Sequence, residues 1–406
     1  MSDGNTAARK PAETWDVVVI GAGPAGSVAA RQLARRGKRV LLVDRKKFPR
    51  DKVCGACLNR RAQSVLHAIG LDSLLASPRI AAPHRFQLRA GGRRIGLPLD
   101  GMLAVRRSWL DEQLVEAAKR AGATFVERTE GRVVGAPPGE PQHDPSGRTV
   151  VLRPVGTSSP CAARRITTSL VLAADGLGNP SCRDLHHPGG LTEQVDSASL
   201  IGLGACFVSS DSSYEHGTIY MGVGPHGYVG AVRLAGGELN VGAAVDPQWA
   251  RRIGAPHQIA DRLFRQCGFP VPTELYDAPW RGTPRLTRQA RPVARHGVFL
   301  IGDAAGYVEP FTGEGIAAAL ATGAAVVPFA MEALMGNSRR AALGWQARHR
   351  QLVTNRSRWC RRLAWMLRKP YRCRLPMRLL ACWPRLSAPI IRHLQRSVAP
   401  AELGLP

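Results

Sequence analysis

Short apolar runs of strand length alternate with longer, polar-marked segments along this chain. Trp15-Asp16-Val17-Val18-Val19-Ile20 is a β-branched run that predicts a strand, and the Ala/Arg/Leu segment reaching about Arg36 predicts a helix. Gly37-Lys38 ends that helix, and Arg39-Val40-Leu41-Leu42-Val43 predicts a second strand closing on Asp44. Phe48–Gly55 is too polar and too marked by Gly and Pro for a continuous element. Residues 84–99 predict a hairpin about Gly91-Gly92, and Val105–Asp111 leads into an amphipathic helix with Leu110, Leu114, Val115 and Ala118 on one side. Residues 135–148 read as a loop between strands, and Leu170–Ala174 as another buried strand, ending at Asp175-Gly176. From 199 to 245 the period falls to two (Ile219, Met221, Val223; Tyr228, Gly230, Val232; Leu239, Val241, Ala243), which predicts an inserted, mainly antiparallel sheet. Val298–Ile301 is the last strand-length run; it stops at Gly302-Asp303. Gly315–Met331 then carries no charge over 17 residues. That is about the length of a membrane span, but its Ala and Gly content and Pro328 favour a buried helix.

Two stretches carry candidate chemistry. Gly21-Ala22-Gly23-Pro24-Ala25-Gly26 is G-x-G-x-x-G between a strand and a helix, with Asp44 ending the next strand. Such glycines let a pyrophosphate approach the helix N-terminus, and the acid can take ribose hydroxyls. The stretch Val298–Gly315 places Asp303 at a strand end and Gly313 and Gly315 at a helix start, which suits a sugar-phosphate ligand and an electron-rich ring. Both stretches ask for one dinucleotide.

Charge changes the picture at the C-terminus. The 406 residues carry a formal charge of +26, and from Arg339 onward 16 basic residues face one acid, Glu402. Large apolar groups alternate with those arginines, including four of the eight tryptophans (Trp345, Trp359, Trp365, Trp383). Basic amphipathic helices with aromatic anchors fit an anionic membrane surface. A helical cap with an arginine outer face fits equally, and nucleic acid is not expected because no recognised module accompanies the tail. Residues 1–13 lack an apolar core and read as a disordered leader, not a secretory signal. Nine scattered cysteines without an export signal point to reduced thiols in the cytoplasm. Cys54-Gly-Ala-Cys57 has no second cysteine or histidine pair at zinc spacing, so no metal is expected, and either a redox dithiol or two unrelated thiols remains open.

With these motifs in place, the chain resembles the geranylgeranyl reductase-like FAD-dependent oxidoreductases, within the group of aromatic hydroxylases and flavin halogenases. The resemblance rests on G-x-G-P-A-G at Gly21–Gly26, F-P-R-x-K-x-C-G at Phe48–Gly55, R-x-x-L-D at Arg107–Asp111 and G-D-A-A-G-x-x-x-P-x-x-G-E-G-I at Gly302–Ile316. It implies that Gly21, Gly23 and Gly26 receive the FAD pyrophosphate, with Pro24 and Ala25 in the same turn, and that Asp44 takes the adenosine ribose. Arg107 would contact the phosphate or ribityl region and Asp303 a ribityl hydroxyl. Gly313, Gly315 and Ile316 would face the pyrimidine edge, Pro310 would sit near the isoalloxazine, and Cys54 would lie on the substrate side. Three departures stand out. After Asp175 the expected Ser and Arg are displaced, to Ser181 and Arg183. The Tyr-x-Trp-x-Phe-Pro stretch of polyprenyl reductases is here Tyr228-Val-Gly-Ala-Val232. Gly306 stands where hydroxylases of the group carry His.

The expected fold is α/β: a Rossmann-like FAD-binding domain (14–80, 102–182 and 294–335), a substrate-binding sheet domain (81–101 and 183–293) and a basic helical C-terminal region (336–406). The expected function is FAD-dependent reduction of a carbon–carbon double bond in a lipophilic, isoprenoid- or polyketide-like substrate, with NAD(P)H as a transient electron donor. The alternatives are an FAD-dependent monooxygenase or halogenase on an aromatic or polyketide-like compound, and a peripheral membrane flavoprotein whose FAD is structural. Cys54 is the candidate catalytic residue; His226 and Tyr228 are proton-donor candidates against core or surface roles.

Overall fold

The computed structural model describes residues 14–135, 147–156, 162–185, 190–309, 313–354, 360–362, 365–366, 370–383 and 403. Pro310, the leader 1–13, Trp359 and most of the tail beyond Trp383 lie outside them.

The first βαβ unit forms as its pattern dictates: β1 (Trp15–Ile20), α1 (Pro24–Ala34) and β2 (Val40–Val43). Strand β3 (Cys57–Leu58) and α2 (Arg60–Ala68) follow the Phe48–Gly55 loop. The expected hairpin is β4 (Arg85–Ala90) and β5 (Arg93–Pro98), then β6 (Leu103–Ala104) and α3 (Arg107–Arg120). Strands β7 (Thr124–Val126), β8 (Thr129–Val133), β9 (Arg148–Pro154) and β10 (Arg164–Ala173) complete the first half. Next come β11 (Thr192–Val195), β12 (Ile201–Val208), β13 (Thr218–Gly224), β14 (Gly227–Arg233) and β15 (Glu238–Val245). They lead to α4 (Pro247–Ile253), α5 (Pro256–Gln266), β16 (Arg281–Arg285), β17 (Arg288–Arg291), β18 (Ala294–Arg295), β19 (Val298–Leu300) and β20 (Gly306–Tyr307). Helices α6 (Glu314–Ala325), α7 (Val327–Glu332), α8 (Ser338–His349) and α9 (Pro370–Cys382) close the chain.

The largest sheet has a parallel centre, ordered β19-β10-β1-β2-β7. Its inner strands are near-continuous apolar runs because both of their faces are covered: Val17 to Ile20, Val40 to Val43 and Leu170 to Ala173 are all buried. A seven-stranded sheet, β16-β12-β15-β14-β13-β4-β5, forms from the inserted strands; all its neighbours run antiparallel except β4 with β13.

The uncharged segment after Gly315 is the start of a helical run from Glu314 to Val353. By length and hydropathy the run passes for a membrane span, yet 67% of its most apolar window is buried inside the protein. It is also not straight. Arg61 donates to Glu314 at one end (3.0 Å) and to the carbonyl of Leu352 near the other (3.0 Å), whereas 38 residues of straight helix would span about 57 Å. The reversal occurs at Gly336, whose φ of 92° breaks the helix. Trp345, read from sequence among the membrane anchors, is fully buried in the main core and donates its indole N–H to Leu300 O. Its arginine neighbours concealed a core position.

Candidate cofactor and substrate site

The carboxyl ends of β1, β2 and β10 open onto a trough of about 340 Å³ lined by Gly21, Gly23, Asp44, Arg50, Lys52 and Asp175. Its glycines differ in what they do. A Cβ on Gly21 would stand 2.4 Å from Ala174 O, and one on Gly26 1.9 Å from Gly21 O, so both are demanded by packing. A Cβ on Gly23 would meet only Arg50 Nη2, at 3.7 Å. Gly23 is thus free of protein contact where a ligand backbone is expected. It is the N-cap of α1, offers no side-chain cap, and no acid occupies the first turn, so the helix start keeps its N–H groups and positive end for an anion. Gly21, Gly23, Pro24, Ala25 and Gly26 all fall at this helix start.

Asp44 is buried and accepts from Ala22 N (2.9 Å), Lys46 N (2.9 Å) and Arg50 Nη2 (3.2 Å). Arg50 also reaches Asp111 at 3.2 Å and stacks over Phe48. Arg107, expected at the phosphate or ribityl region, makes a bidentate pair with Asp111 (2.9 and 2.8 Å) within α3 and also interacts with Cys54 beside the cavity. Burial opposes its charge, but Asp111 overrides that and raises its pKa. With Arg45 and Arg281, Arg50 is one of three arginines that line the trough, and the one paired with Asp44. Sequence reasoning quoted it inside Phe48–Gly55 without giving it a role.

Asp175 also faces the trough. It accepts from Ser181 N at 2.7 Å and keeps its Oδ1 without a partner. Burial lifts its pKa to about 6 against the pull of the Ser181 N–H. Ser181 takes up this bond despite its shifted place in the sequence.

A second space of about 120 Å³ adjoins the trough, sharing Lys52, Val53 and Leu177 with it. One wall is Cys54, Gly55 and Cys57; another is the seven-stranded sheet; the third is Asp303, Tyr307, Gly313, Gly315 and Ile316. Gly313 caps α6 in the left-handed region (φ 70°), where a Cβ would press on Cys57. Glu314, in the first turn of α6, is turned aside onto Arg61 (3.0 Å) and Asn59 (3.1 Å). The positive end of α6 therefore faces the cavity at Gly315 and Ile316. Asp303 is paired with Lys52 Nζ at 3.0 Å. Burial, and then the charge of Asp303, pushes the Tyr307 hydroxyl well above its ordinary pKa.

The floor is made of glycines. In register, Gly204, Gly242, Gly230 and Met221 follow one another across β12, β15, β14 and β13. Without side chains there, the Cys54 loop approaches the sheet: Asn240 Nδ2 donates to Cys54 O (3.0 Å), and a Cβ on Gly242 would lie 3.4 Å from the same oxygen. Cys54 Sγ accepts from Ala56 N (3.4 Å), and Cys57 Sγ donates to Gly55 O (3.1 Å). Burial, then Cys54, pushes the Cys57 thiol up to about 12. Tyr228 lines this cavity, whereas His226 stacks on Trp249 and is not among the lining residues.

The residues present fit FAD: an uncapped helix start beside an open glycine, a guanidinium over the trough, and a second helix start at a flat, apolar space. Comparison with known proteins agrees. The description "FAD binding domain" matches residues 14–356. The chain is 32% identical over 336 residues to a menaquinone reductase of Mycobacterium tuberculosis, covering 77% of this chain and 75% of that protein. It is 25% identical over 345 residues to a digeranylgeranylglycerophospholipid reductase of Thermoplasma acidophilum, covering 80% of each. Among solved structures, a triple mutant of the flavin-dependent brominase Bmp2 superposes with a TM-score of 0.73 at 17% identity, over 96% of this chain and 97% of that one. That likeness is one of fold.

Proposed function

The chain belongs to the FAD-binding-domain family and is an FAD-dependent oxidoreductase, and from that premise we propose that it reduces a carbon–carbon double bond of a lipophilic, isoprenoid- or polyketide-like substrate. The observation that carries the reading is the cavity beside Cys54: its sheet wall is mostly Gly, Ala, Val, Ile and Met, with Asn240, Tyr228 and Thr283 as its polar members. Such a wall suits an apolar chain, and two relatives at 25–32% identity are reductases named for isoprenoid substrates. NAD(P)H is the proposed electron source, visiting transiently.

Bound FAD supplies hydride transfer. The protein's share is placement and protons. The α1 start, Gly23 and Arg50 would hold the pyrophosphate; Asp303 and Lys52 would hold the ribityl chain; the α6 start would stabilise negative charge at the pyrimidine edge. Tyr307 and Cys57 keep their protons at neutral pH, and Cys54 stands on the substrate side. The same reading keeps the protein in the cytoplasm, at the face of a membrane that holds its substrate.

The test is anaerobic reduction of the FAD-loaded protein followed by rapid mixing with oxygenated buffer. Single-phase return of the oxidised spectrum, with NAD(P)H-dependent saturation of a menaquinone or geranylgeranyl lipid, is the expected result. A resolved spectral transient together with an unreduced lipid assigns the electrons to oxygen and overturns the reductase reading.

A further inference from the structure

Helix α9 has two apolar faces. Tyr371, Leu375 and Leu379 recur every four residues on one side, and Trp383 continues the line just past the helix end, its N–H bonded to Leu379 O. All four are exposed, Leu375 by 65% and Trp383 by 61%, and Trp365 beside them by 58%. Cys373 and Met377 occupy the opposite side and are 2% exposed. They pack into a cluster with Met221, Tyr228, Leu286 and Tyr307, which line the cavity beside Cys54. The inward face is thus already satisfied. The outward face is large, apolar and bare.

Its borders are basic. Arg374 and Arg378 flank the stripe on one side and are exposed. Arg372 flanks it on the other, over the rings of Trp365 (4.0 Å) and Tyr371 (5.5 Å). A guanidinium held on two exposed aromatic rings, with further arginines and leucines beside it, matches the boundary between headgroups and acyl chains, where rings and arginines both have a place. A nucleic acid would take the arginines and the rings but has no use for Leu375 and Leu379.

We propose that the outward face of α9 docks on an anionic lipid bilayer. The proposal rests on the lipophilic-substrate reading for its purpose: the docked surface would lie one helix thickness, about 10 Å, from the residues that wall the cavity. Docking itself is independent of which reaction occurs.

The experiment is flotation of the full-length, FAD-loaded protein with substrate-free vesicles of phosphatidylcholine, with and without phosphatidylglycerol. Binding is expected only when phosphatidylglycerol is present. The triple variant Trp365→Ser/Leu375→Ser/Trp383→Ser keeps every charge, and the pair Arg374→Gln/Arg378→Gln keeps every apolar group; each should weaken binding about tenfold or more. Unchanged FAD content and melting temperature show that both variants fold. If the wild-type protein fails to float, if both variants float like wild type, or if mixed-sequence RNA binds while vesicles do not, the docking proposal is overturned. A protein that floats as expected but saturates no lipid overturns the reductase reading and leaves docking intact.

Discussion

Lys52 Nζ lies 3.0 Å from Asp303 Oδ2, joining a loop near one end of the sequence to a strand end 251 positions away. The pair stands where the trough at the α1 start meets the cavity beside Cys54, since Lys52 lines both spaces and Asp303 the second. It closes the site from both sides of the chain.

Asp303→Asn removes a charged acceptor from this junction. A charged hydrogen bond contributes about 1.5–3 kcal/mol, so FAD affinity should fall roughly tenfold to a hundredfold. Quenching of flavin fluorescence on titration into apoprotein measures it; unchanged affinity would remove Asp303 from the cofactor site.

Gly23→Ala and Gly26→Ala should part company. The Gly26 variant drives a methyl group into Gly21 O and should lose several kcal/mol of stability, seen as a lower Tm. The Gly23 variant has room within the protein and should keep its Tm while losing FAD. Equal behaviour of the two would contradict the cradle.

Cys54→Ser should depress turnover at least about tenfold, the low end of what a positioned proton donor contributes, without releasing FAD. Turnover equal to wild type, measured at matched flavin content, would retire Cys54 as a reacting group.

Gly230→Leu puts a side chain on the cavity floor where polyprenyl reductases carry Trp. FAD content should not change, while KM for a long apolar substrate rises or turnover ceases. A variant with wild-type kinetics would place the substrate elsewhere.

His349 gives a pH prediction. Burial lowers its pKa to about 4 from an ordinary 6.5, so the native ring is neutral where the unfolded ring takes a proton. Its contribution is whole above pH 6.5 and is lost as pH falls towards 4. At about 1.4 kcal/mol for each tenfold change in proton affinity, the loss approaches ~3 kcal/mol below pH 4. Denaturant titrations of wild type and His349→Phe should converge or cross as pH drops through that window. Parallel curves would show that the ring is solvated.

The parts of this molecule legible in the sequence are those in which neighbours in the chain are neighbours in space. Gly21–Gly26 form one strand-to-helix junction with Asp44 at the end of the next strand, and Gly302-Asp303 stand at the end of β19, so spacing alone specified them. The hairpin at Gly91-Gly92 and the period-two sheet were legible for the same reason. Arg50 was quoted without a role because its partners, Asp44 and Asp111, meet only once α3 crosses the sheet end. The pairing of Arg107 with Asp111 one turn further on lay within the R-x-x-L-D spacing, but its approach to Cys54 joins residues 53 positions apart and had no signal in the sequence. Trp345 was grouped with the tail because composition averages over a helix and cannot say which side of it meets the core.

The Arg61 contacts have a consequence for how the chain can be divided. One guanidinium fastens the first turn of α6, which faces the cavity, to Leu352, a buried residue within the basic C-terminal region. A chain ended near residue 338 therefore loses Trp345 from the main core and leaves half of that clasp open. What reads in the sequence as a detachable appendage is, up to Val353, the post on which the cavity-facing helix hangs, and beyond it Cys373 and Met377 still cover the cavity wall, so a cut there uncovers apolar core as well.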